Sequence, residues 1–300
     1  MSTTVGEQQA IQVRTVAIPW YRNKRWRGRA GQVVTFAILV FVAFLFVAPF
    51  LWMLSTALKP AQQIFELNWI PDPIVWGNFR DALQSAPFGT YFKNSAIITG
   101  LSALGAVISS SLVAYSFARL RWPGRDLWFA LVLATMMLPG IVTLIPQYIL
   151  FAELGWVNTF RPLIVPGWLA SDAFYVFLLR QFFRGIPMEL SEAAKIDGAS
   201  ELRIWWQIVM PLSKPALAAV AIFSFNGAWG DYLKPLIYLS TENNYTLQLG
   251  LTTFQQAAGG LPRWDWMMAA SLVVMLPVVI LFFLGQKYFI EGVTLTGIKR

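Results

Sequence analysis

The chain has 300 residues, of which 57% are hydrophobic and only 13% are charged. Because soluble globular domains carry about 45–50% apolar and about 25% charged residues, this composition excludes a secreted factor, a cytosolic enzyme and a disordered chain. The sequence also contains no cysteine and no histidine, so a thiolate metal site and the commonest metal ligand and general base are both absent. A hydrophobic excess of this size indicates a protein that faces lipid.

Apolar stretches of about 20 residues, long enough to cross the ~30 Å hydrocarbon core of a bilayer, recur along the chain. They predict six transmembrane helices, over residues 33–58, 95–117, 127–151, 162–182, 215–239 and 267–288. The first stretch exceeds the apolar region of a signal peptide, about 7–15 residues, and no cleavage motif follows it. We therefore predict an all-α, polytopic membrane protein whose first helix is an uncleaved anchor.

The basic residues test this count, because cytoplasmic loops of membrane proteins carry an excess of Lys and Arg. With the N-terminus placed in the cytoplasm, 17 of the 23 basic residues fall in inner segments. The outer segments hold the other six, Lys59, Arg80, Lys93, Arg161, Lys234 and Arg263. This pattern predicts that both termini are cytoplasmic. The net charge of +8 then reflects topology, and no nucleic-acid partner is expected.

The predicted organisation has three parts. A basic cytoplasmic N-terminal tail covers residues 1–32, a six-helix transmembrane domain covers 33–288, and a short cytoplasmic C-terminal tail covers 289–300. The transmembrane domain includes a long cytoplasmic loop at residues 185–212, which we call the elbow. We find no repeated half of the kind that builds many secondary carriers, so a self-sufficient channel or carrier is disfavoured.

The elbow reads as two helices joined by a glycine. Pro187 suits the first helical position, and Glu189 lies near the positive end of the helix dipole. Gly198 is placed to end this helix with a positive φ. Ser200 is placed to cap a second helix, which Pro211 interrupts.

Two interpretations of the elbow remain open from the residues alone. The first is an amphipathic pair of helices that rests on the lipid headgroups. The second is a docking element, in which Ala193 and Ala194 allow close approach of a partner while Glu192 and Asp197 offer charge to its basic groups.

The spacing of the elbow residues is similar to a known signature. Glu192-Ala193-Ala194, Gly198, Ile208 and Met210-Pro211 follow the pattern EAA-x3-G-x9-I-x-L-P, with Met210 in place of Leu. The chain therefore resembles the permeases of bacterial ABC importers, which carry this EAA signature in a cytoplasmic loop before the penultimate helix. The resemblance implies a location in the bacterial cytoplasmic (inner) membrane.

Three further segments resemble the carbohydrate permeases within that group. Trp229–Pro235 is similar to W-N-[ED]-F-x-x-P, with Gly230 replacing the usual Asn. Tyr245–Gly250 is similar to the run YTLPVGL, and Phe289–Thr294 to [FV]-x-G-[LV]-T. The resemblance covers nearly the whole chain and is greatest to the smaller permease subunits of maltose-type importers.

This resemblance implies that the elbow is a coupling helix seated in a groove of a cytoplasmic ATPase subunit. The residues expected to form the contact are Glu192, Ala193, Ala194, Asp197, Gly198 and Pro211. The chain has no phosphate-binding loop of the type G-x-x-x-x-G-K-[ST], so two partner ATPase subunits would bind ATP and Mg²⁺. The other implied partners are a second permease, forming a heterodimer, and an extracytoplasmic solute-binding protein. No cofactor and no metal ion are expected on this chain.

Carboxylates and aromatics near the spans are candidates for the substrate path. A carboxylate within a span usually faces a water-filled cavity or a partner, and sugars need polar groups beside flat aromatic faces. The candidates are Phe225, Asn226, Trp229, Asp231, Tyr232, Asp172 and Tyr175. The alternative is that these aromatics belong to interfacial belts or to the core.

A polar, glycine-containing stretch lies in the outer loop 241–265. It contains Gln255, Gln256, Gly259 and Gly260. From the residues alone it is an exposed loop. The resemblance implies that it contacts the solute-binding protein and helps to release the substrate.

The predicted function is thus that of a permease subunit of an ATP-driven, binding-protein-dependent importer for sugars, which is not itself an enzyme. One alternative keeps the ABC importer but changes the cargo to a polyamine, an amino acid or an osmolyte. Another is a membrane-embedded hydrolase with a Ser/Lys or Asp site. Against the hydrolase, no span pairs a serine with a plausible base and no G-x-S-x-G motif occurs.

Overall fold

A computed structural model describes the backbone of residues 24–256 and 262–297, and the side chains of residues 31–255 and 262–286. Within these ranges the chain is helical and has no β-strand. In chain order the helices are α1 (Lys24–Ala57), α2 (Gly77–Gln84), α3 (Phe88–Arg119), α4 (Arg125–Thr135), α5 (Gly140–Glu153), α6 (Arg161–Trp168), α7 (Ala173–Arg184), α8 (Glu189–Ile196), α9 (Glu201–Ile204), α10 (Met210–Leu212), α11 (Lys214–Trp229), α12 (Leu233–Tyr238), α13 (Leu247–Leu251) and α14 (Trp264–Gly297).

Four helical stretches of the described chain are long and apolar enough to cross a membrane. They lie at Gly31–Ala57, Phe88–Arg119, Arg161–Arg184 and Trp264–Gln286, and the third consists of α6 and α7 with a short interruption between them. Two further pairs of helices pass the same criteria together but are sharply bent, which brings the possible spans to six. The prediction of an all-α, polytopic membrane protein is confirmed.

The chain divides after Trp52 into two compact units. In the first, the described apolar side chains of α1 from Val33 to Leu51 are largely exposed. A helix that satisfies all its backbone hydrogen bonds internally and exposes only apolar side chains suits a lipid environment. The backbone of α1 begins at Lys24 and that of α14 continues to Gly297, so parts of both predicted tails are helical. Residues 1–23 and 298–300 lie outside the described chain.

The predicted span 127–151 is interrupted in its middle. Its two halves, α4 and α5, meet at an angle of 97°. The break falls at Pro139, which precedes α5 and has an extended ψ of 130°. Proline cannot donate a helical hydrogen bond and disfavours helical geometry in the residue before it. At Pro139 these effects coincide with the end of one helix and the start of the next, whereas Pro49, Pro146 and Pro277 lie inside helices.

The predicted span 215–239 is also not a single helix. The helix α11 ends at Trp229, and the short helix α12 starts at Leu233. The carboxylate of Asp231 accepts a hydrogen bond from the backbone N–H of Lys234 at 3.2 Å. Such a local side-chain bond favours a new helix start over continuation of the preceding helix. The interruption leaves non-helical backbone next to the cavity described below.

Small residues bring α3 and α6 into close contact within the second unit. The hydroxyl of Ser102 donates to the carbonyl of Leu163 at 2.7 Å, and the hydroxyl of Ser109 donates to the carbonyl of Gly167 at 2.9 Å. Gly105 lies so close to the ring of Trp168 that a Cβ atom there would clash. Small residues and serine hydroxyls are the usual means by which membrane helices approach closely, so α3 forms a central support of this unit.

Candidate functional site

The first half of the elbow is the helix α8, which ends where the sequence predicts. Gly198 has a positive φ of 78°. The N–H of Ala199 donates to the carbonyl of Ala194 at 2.9 Å, and the N–H of Gly198 donates to that of Lys195 at 3.0 Å. These two bonds form a Schellman motif, in which glycine occupies the left-handed position. The helix begins at Glu189 after the capping residue Met188, so Pro187 lies outside it and not at its first position.

The second half of the elbow starts at the predicted cap. The hydroxyl of Ser200 accepts a hydrogen bond from the N–H of Arg203 at 3.4 Å. The helix then passes through a π-helical turn, Trp205–Val209. Pro211 has no N–H to offer the preceding turn, and a π turn is one way to accommodate that loss. The sharp bend of 84° comes after Leu212, one residue beyond the predicted interruption at Pro211.

The elbow has a buried face and an exposed face. Ile204, Trp205 and Val209 are buried in a hydrophobic cluster that α3, α4, α7 and α11 complete. On the other face, Ile196 is 87% exposed and Trp206 is 60% exposed. An apolar surface of this kind fits a partner protein or the lipid headgroup region. The elbow is therefore fixed to the rest of its unit while it presents an apolar surface outward.

Most of the predicted coupling residues lie on this exposed side. Glu192, Ala193, Asp197, Gly198 and Pro211 are exposed. Ala194 differs, because it is half-buried and packs against the hydrophobic cluster of its own chain. Of the two alanines in the EAA signature, Ala193 alone is therefore turned fully toward the surface.

A cavity of about 340 Å³ lies between α11, α13 and α14. Its lining consists of Asn226, Trp229, Gly230, Gln248, Leu251, Ser271, Val274, Met275 and Val278. The polar side-chain groups of this lining are two carboxamides, one hydroxyl and the indole N–H of Trp229, and none of these nine residues carries an ionisable side chain. A pocket with apolar walls and a few polar groups is the usual form of a small-molecule site.

Trp229 is the fixed wall of the cavity. Its side chain is only 4% exposed, and its indole N–H donates to the carbonyl of Val274 at 2.9 Å. The ring of Phe225 stacks on it with centroids 5.4 Å apart. Phe92 packs against the same ring with centroids 5.8 Å apart. The polar group and most of the surface of Trp229 are thus already used within the chain, so this residue shapes the cavity and exposes little of its ring to it.

The other predicted path residues do not reach this lining. Asp172 caps α7, accepting a hydrogen bond from the N–H of Phe174 at 2.9 Å. Asp231 is bound to Lys234, as described above, and Tyr232 is exposed outside the cavity lining. Tyr175 packs against the hydrophobic cluster beside the elbow. The two carboxylates therefore start helices, and of the predicted residues only Asn226 and Trp229 line the cavity.

Two polar lining residues escaped the sequence analysis. Gln248 replaces the proline of the run YTLPVGL, and Ser271 lies within the apolar stretch of α14. The signal that could have identified Gln248 is its departure from the pattern, because an amide within an otherwise apolar segment needs a polar partner or a ligand. Ser271 carries no such signal, since serine is common wherever membrane helices pack.

The outer loop is described at its two ends. Gln255 is exposed, and the backbone of Gln256 ends a short 3₁₀ helix. Gly259 and Gly260 lie outside the described residues. The N–H of Arg263 donates to the carbonyl of Phe254 at 3.0 Å, which holds the two ends of the loop together. Among the described residues, no group of three or more acidic residues could hold a metal ion.

The sequence matches a known protein family and several of its members. Residues 106–294 match the family of binding-protein-dependent transport system inner membrane components. The arabinooligosaccharides transport system permease protein AraQ of Halalkalibacterium halodurans is 34% identical over 264 residues, which cover 86% of this chain and 93% of that protein. The sn-glycerol-3-phosphate transport system permease protein UgpE of Pectobacterium atrosepticum is 36% identical over 239 residues, covering 77% of this chain and 84% of that protein.

The fold is also found among solved structures. A chain from the crystal structure of a bacterial ABC transporter involved in the import of the acidic polysaccharide alginate superposes with a TM-score of 0.77 at 23% identity. The match covers 87% of this chain and 97% of that one. The family predicted from the EAA signature is confirmed, and with it the location in the inner membrane and the role of a transport subunit, not an enzyme. The chain belongs to the family of binding-protein-dependent transport system inner membrane components.

Proposed function

We propose that this chain forms half of the translocation pathway of an ATP-driven, binding-protein-dependent importer for uncharged sugars. The observation that carries the proposal is the cavity beside Trp229, whose lining is neutral and combines carboxamides and a hydroxyl with apolar side chains. Carboxamides both donate and accept hydrogen bonds, which suits sugar hydroxyls, and the apolar side chains suit the C–H faces of a sugar ring.

The charge of the cavity discriminates between cargoes named for relatives of this chain. One relative is named for arabinooligosaccharides and another for glycerol-3-phosphate. A phosphate or a carboxylate needs basic groups or several N–H donors when it leaves water, and the lining offers no basic side chain. A polyamine would need carboxylates, but the lining contains none. Asp172 caps α7, and Asp231, next to Gly230, is held by the N–H and the ammonium group of Lys234. The lining therefore favours a neutral sugar.

The exposed face of the elbow and the distribution of the basic residues support the proposed partner subunits and orientation. We assign the exposed face of the elbow to the groove of a cytoplasmic ATPase subunit, and with this assignment both termini would be cytoplasmic. Two such subunits would bind ATP and Mg²⁺. A second, different permease would complete the pathway, and a solute-binding protein would deliver the sugar from outside. The distribution of the basic residues supports this orientation.

The experiment is ATP hydrolysis by the complex purified from its native membrane and reconstituted with its binding protein. Neutral oligosaccharides, glycerol-3-phosphate, an alginate oligosaccharide and a polyamine are tested in parallel. We expect that a neutral sugar stimulates hydrolysis and that the charged compounds do not. Stimulation by a charged compound with every neutral sugar silent would contradict the proposed cargo.

Deletion of residues 256–260 tests the outer loop. We expect substrate uptake to fall about tenfold, because this loop is proposed to assist release of the sugar from the binding protein. Assembly with the ATPase subunits is expected to remain, because the bond between Arg263 and Phe254 already joins the ends of the loop. Uptake and subunit recovery are measured on the same membranes. Normal uptake by the deletion variant would show that the loop has no part in delivery.

A further inference from the structure

The C-terminal end of α3 holds both halves of the elbow. The guanidinium of Arg119, 6% exposed, donates to the carbonyl of Ile186 at 2.8 Å, just before α8 begins. One turn earlier on α3, the hydroxyl of Tyr115 donates to a carboxylate oxygen of Glu201 at 2.6 Å. Residues four apart share one face of a helix. A single face of α3 is therefore bonded to the elbow on both sides of its glycine turn.

Glu201 also connects the two halves of the elbow to each other. Its second carboxylate oxygen lies 2.6 Å from the ammonium nitrogen of Lys195, on the other side of Gly198. A partly exposed ion pair contributes little by itself. Here the same carboxylate is held by the buried Tyr115, and charge-assisted hydrogen bonds are the stronger kind. The glycine turn, the two halves of the elbow and the end of α3 thus form a closed ring of contacts, which we call the elbow clamp.

A second set of contacts lies at the N-terminal end of α3. The buried hydroxyl of Tyr91 donates to a carboxylate oxygen of Glu242 at 2.9 Å. The carboxamide of Asn94 donates to the carbonyls of residues 243 and 245 at 2.8 and 3.0 Å. The hydroxyl of Ser95 accepts a bond from the N–H of Leu247 at 2.8 Å. We call these contacts the outer clamp, and they bind residues 242–247 to α3.

The outer clamp leads directly into the cavity. Leu247 is the first residue of α13, and α13 supplies Gln248 and Leu251 to the lining. Gly250 of the same helix packs so closely on Tyr91 that an added Cβ atom would clash. A displacement of the N-terminal end of α3 must therefore move α13 with it, because close-packed elements cannot slide freely past each other.

We infer that α3 is the rod that transmits movement of the elbow to the cavity, with the elbow clamp and the outer clamp as its two attachments. A helix of 32 residues spans about 48 Å at about 1.5 Å per residue, and α3 joins the two clamps, which lie near its two ends. Tyr115, Arg119, Tyr91, Asn94 and Ser95 are then positioning residues. The inference rests on the proposed function, because it needs the elbow to be driven by an ATPase.

Movement of the elbow could also reach the cavity by a second route that does not involve α3, and the test must distinguish the two routes. The elbow is also joined covalently to α11, which lines the cavity through Asn226 and Trp229. That connection runs through the bend of 84° after Leu212. If the covalent route carried the movement alone, loss of either clamp would leave coupling intact.

The test removes one hydroxyl from each clamp, in Tyr115→Phe and Tyr91→Phe, within the complete reconstituted complex. The matched control is Tyr238→Phe, because the hydroxyl of Tyr238 is buried and has no hydrogen-bond partner among the described residues. We expect both clamp variants to retain the ATPase subunits and the basal rate of ATP hydrolysis. Stimulation by the sugar-loaded binding protein should fall about tenfold in each, and the control should behave as the parent.

The double variant Tyr91→Phe/Tyr115→Phe decides whether the clamps act in series. A single rod predicts that the double variant is no worse than the more severe single variant. The inference would be overturned by a double variant whose loss of stimulation is the product of the two single losses, by unchanged stimulation in the single variants, or by loss of the ATPase subunits from both single variants.

Glu201→Gln weakens the elbow clamp without altering α3, and it replaces Tyr115→Phe if that variant does not assemble. Failure of the parent chain to recover any ATPase subunit would instead reject the proposed function.

Discussion

Gly198→Asp is expected to abolish sugar-dependent ATP hydrolysis while the membrane helices remain inserted. Gly198 holds a φ of 78° and an added Cβ atom would meet no atom of the chain within 4 Å. The substitution therefore costs about 1–2 kcal/mol of left-handed backbone strain, which is too little to unfold the unit. The new carboxylate would instead project from the exposed face of the elbow, beside Asp197. An added charge on a surface that must desolvate against a partner disfavours docking strongly.

The chain provides a matched control for this variant. Gly155 also has a positive φ, 66°, and open space around its Cβ position, so Gly155→Asp introduces the same group with the same kind of strain outside the elbow. We expect it to retain ATPase recovery and sugar-dependent hydrolysis. Recovery of ATPase subunits and hydrolysis are measured together for both variants. Normal hydrolysis by Gly198→Asp would refute docking through the elbow.

The elbow could be predicted from the sequence because its rules are local. The left-handed turn at Gly198 and the cap at Ser200 each depend on residues within one helical turn. The break at Pro139 follows an equally local rule, but hydropathy averaged over about 20 residues conceals it. The apolar run around Pro139 is long enough for one span. It contains a second proline, Pro146, that lies inside α5, so the prolines mark two candidate breaks and the structure shows that only the first divides the run.

The cavity could be predicted only in part, because its walls come from helices far apart in the sequence. Asn226 and Trp229 were identified from one segment, whereas Gln248 and Ser271 reach the same cavity from α13 and α14. Asp172 was assigned to the path because carboxylates near spans are rare and often functional. The same residue type is also the preferred cap of a helix, and that local role is the one it has here. Sequence alone does not distinguish the two uses.

Ser271→Phe is expected to block transport while assembly and basal ATP hydrolysis remain. Ser271 is half-buried and lines the cavity of about 340 Å³, so a phenyl ring there would occupy space that a sugar needs and remove a hydroxyl that can bind it. We expect sugar uptake to fall by at least about tenfold, equivalent to about 1.4 kcal/mol.

The matched control for this variant lies on the same helix. Leu276 belongs to α14 but not to the cavity lining, and its side chain is exposed. Leu276→Phe therefore adds an aromatic ring to α14 without filling the cavity, and we expect its uptake to equal that of the parent. Uptake is measured in proteoliposomes that contain equal amounts of assembled complex. Equal loss in both variants would mean that α14 does not tolerate a ring at all. Loss of uptake in Ser271→Phe alone would assign the effect to the cavity. Full uptake by Ser271→Phe would exclude the cavity from the sugar path, because a substrate cannot pass through volume that a fixed side chain already fills.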